Sequence, residues 1–162
     1  MPQDDRFEYL LRLGDNALVL SQRLSEWCGK GPAFEEDMAL TNVALDLLGQ
    51  ARLWLTYAGE VEGRGRDENR LAFLRDAPEF RNLLLVELPN DDYARTLARQ
   101  FLFDAWHALA LQALARSSDA RIAHSVSTTK SCHSPSASCI RLNVRITAGG
   151  SRRPCSRAIS SV

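Results

Sequence analysis

The stretch Met38–Ala58, MALTNVALDLLGQARLWLTYA, decides the fold of this chain. Its apolar residues return every three or four positions, which is the period of an α-helix. They form two separate lines along that helix, so we expect burial on two sides, as in the central helix of a bundle. The first line is Leu40, Ala44, Leu47, Ala51, Trp54 and Ala58, and the second is Met38, Leu45, Leu48 and Leu55.

Two further long helices flank this one in the sequence. Apolar residues at helical spacing predict the first over about Asp5–Trp27. Asp91 and Asp92 predict the N-terminus of the other, which reaches about Arg116. No segment alternates with period two, so the predicted class is all-α, with the long helices antiparallel. The predicted core line of the last helix is Leu97, Phe101, Asp104, Ala108 and Leu111.

The segment between the second and third long helices gives weaker signals. Gly59 predicts the end of the second helix, and residues 59–70, rich in Gly and charge, predict a loop. Leu71–Leu74 predicts a short helix, whereas Asn82–Leu88 fits either a helix or an extended segment. Three long helices are therefore expected. They form an incomplete bundle, because nothing after residue 119 is expected to supply a fourth.

The overall charge argues against several classes of protein. The 162 residues hold 20 basic and 20 acidic side chains, which is atypical of a general nucleic-acid or membrane-surface binder. No apolar run approaches the ~18 residues of a membrane-spanning helix. The N-terminal residues Met1–Asp5 lack the apolar core of a secretory signal, so we expect a cytoplasmic protein without a membrane partner.

The zero net charge conceals a break in composition. All 20 acidic residues lie in residues 1–119, whereas residues 120–162 hold 7 basic residues, 10 Ser and no aromatic residue. Such a segment cannot bury enough apolar surface to offset the entropy of ordering its backbone. We therefore expect a helical domain over residues 1–123 and a disordered tail over residues 124–162. A basic arm for nucleic acid is the less favoured alternative for that tail.

One pair of residues carries candidate chemistry. Asp104 lies on the predicted core line of the third long helix, and His107 follows three residues later. A carboxylate and an imidazole at this spacing form one arm of a di-iron carboxylate site in a helical bundle. Such a site needs a second arm, but Leu47 and Gln50 stand where it would lie on the second helix. The favoured interpretation is a buried carboxylate satisfied by an Arg or a backbone donor.

Several segments of the chain are similar to one known family. Together they cover roughly residues 6–126 in matching order and spacing, and they resemble the C subunits of phenylacetyl-CoA 1,2-epoxidases. The segments are Arg12–Asn16 (RLGDN), Leu20–Leu24 (LSQRL), Glu26–Gly29 (EWCG), Ala44–Arg52 (ALDLLGQAR), Asn82–Glu87 (NLLLVE), Pro89–Asn90 (PN), Ala98–Gln100 (ARQ) and Asp104–His107 (DAWH).

The resemblance implies a ferritin-like helical subunit of a multicomponent monooxygenase in phenylacetate catabolism. In that family a homologous catalytic A subunit holds the di-iron centre and binds the acyl-CoA, and a reductase supplies electrons from NADPH. The C subunit is regarded as structural. Compared with catalytic relatives, Ala17 replaces a Glu, Leu47 and Gln50 replace a Glu-x-x-His arm, and Asp104 keeps a carboxylate. The resemblance thus implies no catalytic, cofactor-binding or metal residue in this chain, and the A and other epoxidase subunits as partners.

The match stops where the composition changes. The family continues with a Lys-Glu-Ala-Arg-Tyr-His-Leu-like segment near Lys130, and its chains are about twice as long, whereas Thr128–Ser134 reads TTKSCHS. Simultaneous loss of acids and aromatics is typical of out-of-frame translation of a GC-rich gene. We therefore expect a truncated chain with a frameshifted tail. Two other hypotheses stay open, namely a helical protein-binding module unrelated to oxygenation and a vestigial di-iron protein.

Overall fold

The computed structural model describes residues 3–133, with side chains to residue 129. This part of the chain contains helices and no strand, which confirms the predicted all-α class. Residues 134–162 of the predicted disordered tail lie outside the described residues. The helices are α1 (Gln3–Ser25), α2 (Phe34–Glu62), α3 (Glu68–Phe73), α4 (Leu84–Glu87), α5 (Tyr93–Leu114) and α6 (Ala120–His133), with a 3₁₀ turn at Ala77–Glu79.

Helices α1 and α2 form an antiparallel hairpin. The Ser21 hydroxyl donates to the carbonyl of Ala44 at 2.8 Å near one end, and the Gln3 amide donates to Val61 near the other. Between them the two helices approach closely at Gly14, where an added Cβ would lie 2.7 Å from Leu55. All six residues of the first predicted α2 line are buried. Three residues of the second line are exposed, and only Leu55 is buried: the exposed ones are Met38, Leu45 and Leu48.

The predicted end of α2 at Gly59 is wrong. The helix continues to Glu62 and ends at Gly63, whose φ of 70° is the left-handed conformation that glycine adopts readily at a C-cap. Gly59 serves a different purpose inside the helix. A Cβ there would lie 2.2 Å from the carbonyl oxygen of Arg66, so glycine lets the following loop return close to the helix.

The segment between α2 and α5 is a long crossover that runs back along α1. Arg75 of the crossover contacts Asp15 of α1, Leu83 contacts Asn16, and Glu87 contacts Arg23. The crossover therefore delivers the chain to the C-terminal end of α1. There Trp27 Nε1 donates to Thr96 Oγ1 of α5 at 3.0 Å. A helical hairpin followed by one long crossover occurs in ferritin-like bundles.

Helix α5 begins where the sequence predicts, but it buries a different face. The Asp92 carboxylate caps it by accepting from the Ala94 N–H at 3.1 Å. The predicted core line is wrong for Phe101, which is 51% exposed, and for Ala108, which is also exposed. Leu97 and Asp104 are half-buried, and Leu111 is the one member of that line that is buried. The buried residues of α5 are Thr96, Arg99, Gln100, Phe103, His107 and Leu111.

Helix α6 corrects the expectation that no helix follows residue 119. It begins beside the end of α2, where the Tyr57 hydroxyl donates to Asp119 at 2.7 Å. It buries Ile122 and Val126. Three of its hydroxyls, those of Ser127, Thr128 and Thr129, donate to backbone carbonyls of the preceding turn, and the Thr129 hydroxyl does so to Ser125 at 2.8 Å. The predicted boundary after residue 123 thus falls inside a helix.

Candidate functional site

The five positions singled out in the sequence lie on three helices. Ala17 belongs to α1, Leu47 and Gln50 to α2, and Asp104 and His107 to α5. Ala17 and Leu47 are members of one buried apolar cluster on the facing surfaces of the hairpin. Gln50 and His107 are also buried, and Asp104 is partly buried. These positions therefore face the interior of the bundle, where a di-iron centre would require its ligands.

The side chains at these positions do not form the donor set of a di-iron centre. Ala17 and Leu47 offer no donor atom, and the amide of Gln50 is a poor substitute for a carboxylate or an imidazole. Nowhere in residues 3–129 do three His, Cys, Asp or Glu side chains gather closely enough to hold a metal ion. The residues at these positions therefore do not fit a di-iron centre.

Asp104 is satisfied in a way that the sequence analysis did not anticipate. Its Oδ1 accepts a hydrogen bond from the Gln100 Nε2 amide at 2.9 Å, one turn earlier on α5, rather than from an Arg or a backbone donor. Burial raises the pKa of the Asp104 carboxyl from its ordinary 3.8 to about 6, because the charged form loses solvation, and the Gln100 hydrogen bond lowers it only in part.

His107 belongs to an aromatic group on α5. The centroid of its ring lies 5.2 Å from that of Phe103 and 6.1 Å from that of Trp106. The planes of the His107 and Trp106 rings are inclined by 20°. Stacking of this kind holds the imidazole by contact area rather than by coordination. His107 therefore has a packing role that does not depend on a metal.

A buried polar cluster on α1 escaped the sequence analysis. The Asp15 carboxylate is fully buried and accepts from both terminal nitrogens of Arg75, from Nη1 at 3.0 Å, and from the backbone N–H of Arg81 at 2.8 Å. The Arg75 guanidinium also covers the ring of Phe80 at 4.4 Å. Next to it, Asn16 Oδ1 accepts from the Leu83 N–H at 2.7 Å. This cluster fastens the crossover to α1.

A signal for that cluster was present in the sequence. Asp15 lies four residues after Leu11 and three before Leu18, on the same buried line of α1. A carboxylate at such a position needs a buried partner. The partner itself was not identifiable, because Arg75 lies 60 residues further along the chain.

A second polar group fixes the end of the crossover. The buried Arg99 of α5 donates to the Leu88 carbonyl at 2.6 Å and to Asn90 Oδ1 at 2.8 Å. The Asn90 amide in turn donates to Glu26 at 2.8 Å, just beyond α1. These contacts link the start of α5 to the end of α1.

Among the described helices, none combines the length and apolar character needed to cross a membrane.

Comparison with known proteins agrees with this description. The family described as phenylacetic acid catabolic protein matches residues 1–133, which includes all six helices. Over 115 residues the chain is 58% identical to a protein of Escherichia coli (strain K12) that is named as the C subunit of 1,2-phenylacetyl-CoA epoxidase. The match covers 71% of this chain and 46% of that relative, so the chain spans about half of the relative's length. The resemblance seen in the sequence is confirmed, and the chain belongs to the family of phenylacetic acid catabolic proteins.

Proposed function

We propose that this chain is a non-catalytic structural subunit of a phenylacetyl-CoA 1,2-epoxidase in aerobic phenylacetate catabolism. The family match and the relative from Escherichia coli support the assignment to this multicomponent system. The observation that carries the non-catalytic role is the chemistry of the bundle interior. The chain has Ala17, Leu47 and Gln50 at positions where a catalytic relative would have carboxylates and an imidazole.

The proposed partners follow from this role. They are the catalytic A subunit and the other epoxidase subunits, and the proposal involves no nucleic acid or membrane. The di-iron centre and the NADPH-dependent electron supply belong to those partners, so this chain carries no cofactor of its own. The complex acts in the cytoplasm, where NADPH is available. A bundle interior with few metal-donor side chains suits a subunit that stabilises a neighbour rather than one that reacts.

Metal analysis tests the non-catalytic part directly. After anaerobic loading with Fe(II) and desalting, we expect far less than stoichiometric iron, because Asp104 and His107 alone offer too few ligands. An Asp104→Ala variant is the matched control, and its iron content should equal that of the unchanged chain. About two irons per chain, as in a complete di-iron site, would contradict the proposal, as would iron that Asp104→Ala removes.

Reconstitution tests the structural part. Co-expression with a catalytic A subunit should give a stoichiometric complex that epoxidises phenylacetyl-CoA in the presence of the reductase. The A subunit alone is the control, and we expect it to be less active or less stable. If the A subunit is equally active and stable without this chain, or if the two do not co-purify, the structural role is refuted. The second result would favour an unrelated helical binding module.

A further inference from the structure

Arg99 of α5 is a buried cation with which no described carboxylate pairs. Its exposed fraction is 3%, and it donates to two neutral oxygens, the Leu88 carbonyl at 2.6 Å and Asn90 Oδ1 at 2.8 Å. Of its five N–H donors, the one on Nε is buried without a hydrogen-bond partner among the described residues. The other arginine that is buried in this part of the chain, Arg75, pairs with Asp15. A buried charge is normally paired, so Arg99 is a position where a counter-charge is missing.

The carboxylates in the surroundings of Arg99 are engaged with other arginines. Asp91 Oδ2 lies 3.6 Å from Arg95 Nη1, and Glu26 Oε1 lies 3.2 Å from Arg23 Nη1. Burial lowers the pKa of the Arg99 guanidinium, and the charge of Arg23 lowers it further, whereas Glu26 offsets these effects only in part. The surroundings therefore leave a net positive charge at Arg99.

A cavity of about 250 Å³ lies beside Arg99, which forms part of its lining. Leu88 and Leu102 line it as well and are 50% and 56% exposed, so apolar surface at the cavity is left open to solvent. The two other charged residues of the lining, Asp91 and Arg95, offset each other's charge. The cavity therefore combines apolar walls with one buried cation. The apolar residues of its lining are Leu85, Leu88, Pro89, Ala98 and Leu102.

This combination indicates the chemistry of a ligand. A carboxylate accepts two N–H bonds from one guanidinium and carries the single negative charge that Arg99 lacks. The apolar walls require that the carboxylate be attached to an apolar body, and the cavity volume, which is smaller than that of a drug-sized pocket, limits this body to a compact one. A free phosphate has no apolar body and carries more charge than one guanidinium offsets.

We propose that the cavity beside Arg99 binds a small monocarboxylic acid, with its carboxylate on the guanidinium and its aromatic or short aliphatic body between Leu88 and Leu102. The ligand supplies the counter-charge that the fold omits, and it covers two exposed leucines. It also contacts both the end of the crossover and the start of α5, because Leu88 belongs to the first and Arg99 to the second. The site is independent of the epoxidase assignment.

Isothermal titration calorimetry of the full 162-residue chain with benzoate tests the site. One benzoate should bind per chain. Benzamide, its neutral counterpart of nearly equal shape, should bind at least about tenfold more weakly, because it brings no charge to Arg99. Inorganic phosphate should also bind at least about tenfold more weakly, since it leaves the apolar walls uncovered. Absence of saturable benzoate binding, equal affinity for benzamide, or tighter binding of phosphate overturns the proposal.

Two exposed leucines of α5, seven residues apart, provide a matched pair of variants. Leu102 lines the cavity, whereas Leu109, which is 68% exposed, does not. Leu102→Glu should abolish benzoate binding, because the introduced carboxylate competes for the Arg99 guanidinium. Leu109→Glu should leave the Kd of benzoate unchanged. If Leu102→Glu binds benzoate as tightly as the unchanged chain, or if both variants lose binding equally, the proposal is wrong.

A third variant removes the cation itself. Arg99→Gln should abolish benzoate binding and leave the weaker binding of benzamide nearly unchanged, because only the charged ligand depends on the guanidinium. Circular dichroism establishes whether this variant keeps its helix content, since Arg99 also bonds to Leu88 and Asn90. A folded Arg99→Gln variant that binds benzoate with unchanged Kd refutes the site. If the variant does not fold, the two leucine variants decide.

Discussion

Asp15, which is fully buried, and Asp104, which is partly buried, have very different surroundings. Asp15 on α1 accepts from the guanidinium of Arg75 and from a backbone N–H of the crossover. Asp104 on α5 accepts from the neutral amide of Gln100. The guanidinium offsets the charge of Asp15 as well as bonding to it, whereas the amide supplies a hydrogen bond without compensating charge. We therefore expect that removing one member of the Asp15–Arg75 pair lowers the stability at neutral pH, and that removing the charge of Asp104 raises it.

The strongest test of this comparison removes Asp15. Asp15→Ala leaves the buried Arg75 guanidinium without its counter-charge and should lower the free energy of unfolding by about 3–5 kcal/mol. Urea denaturation followed by circular dichroism measures the change. The loss should be accompanied by faster proteolysis of the crossover, since Arg75 and Arg81 lose their hydrogen bonds to α1.

A double variant separates the ion pair from the packing. Replacing both partners, as in Asp15→Leu with Arg75→Met, removes the unpaired charge and should cost clearly less than Asp15→Ala alone. If the double variant is as unstable as the single one, the loss comes from contacts of the Arg75 side chain with the Leu71 and Glu79 carbonyls. The comparison with Asp104 would then fail.

The second test concerns Asp104, where we expect removal of the charge to raise the free energy of unfolding rather than to lower it. Because the pKa of Asp104 is raised to about 6, the folded chain holds this proton more tightly than the unfolded chain does. The associated stabilisation is present below about pH 4 and is lost as the pH rises through about 6. Asp104→Asn should therefore raise the free energy of unfolding by about 2 kcal/mol at pH 7.5.

The control for this prediction is the same variant at low pH. At about pH 4 the wild-type carboxyl is already protonated in the folded chain, so Asp104→Asn should change the stability little. Thermal unfolding of both proteins across the range from about pH 4 to pH 8 gives the difference directly. A variant that is destabilised at pH 7.5 would show that the ionised carboxylate has a cation partner.

The smallest expected effect concerns the neutral neighbour of Asp15. Asn16→Ala removes the hydrogen bond to the Leu83 N–H and should lower the free energy of unfolding by about 1 kcal/mol. Asn42→Ala on α2 is the matched control, because Asn42 is exposed and the substitution should change the stability by less than about 0.5 kcal/mol. Equal effects at the two sites would show that the Asn16 bond contributes nothing beyond helix propensity.

The sequence predicted the parts of the fold that local pattern determines. The inner line of α2, from Leu40 to Ala58, is buried as expected, and Asp92 caps α5 as expected. Both features depend on residues within a few turns of each other. Of the candidate site, the five positions were placed on the correct helices, but the polar partner of Asp104 was not identified. Gln100 lies one turn away, yet an amide gives no charge signal in a sequence.

The features that sequence reasoning missed depend on tertiary contacts. The face that α5 buries is fixed by Thr96 against Trp27 and by Arg99 against Leu88, so polar residues enter the core and Phe101 is left outside. Helix α6 was missed because its Ser and Thr residues have low helix propensity, whereas the burial of Ile122 and Val126 in the core is a tertiary contact. The Asp15 cluster was missed because its members are far apart in the sequence.

That separation also determines an order of assembly. The hairpin of α1 and α2 closes through a short connection, whereas the Asp15–Arg75 bond joins residues 60 apart and closes a far larger loop. Loop closure of this size costs conformational entropy before any contact offsets it. We therefore expect the crossover to attach after the hairpin has formed. In folding kinetics, substitutions at Asp15 should accelerate unfolding and leave the rate of hairpin formation unchanged.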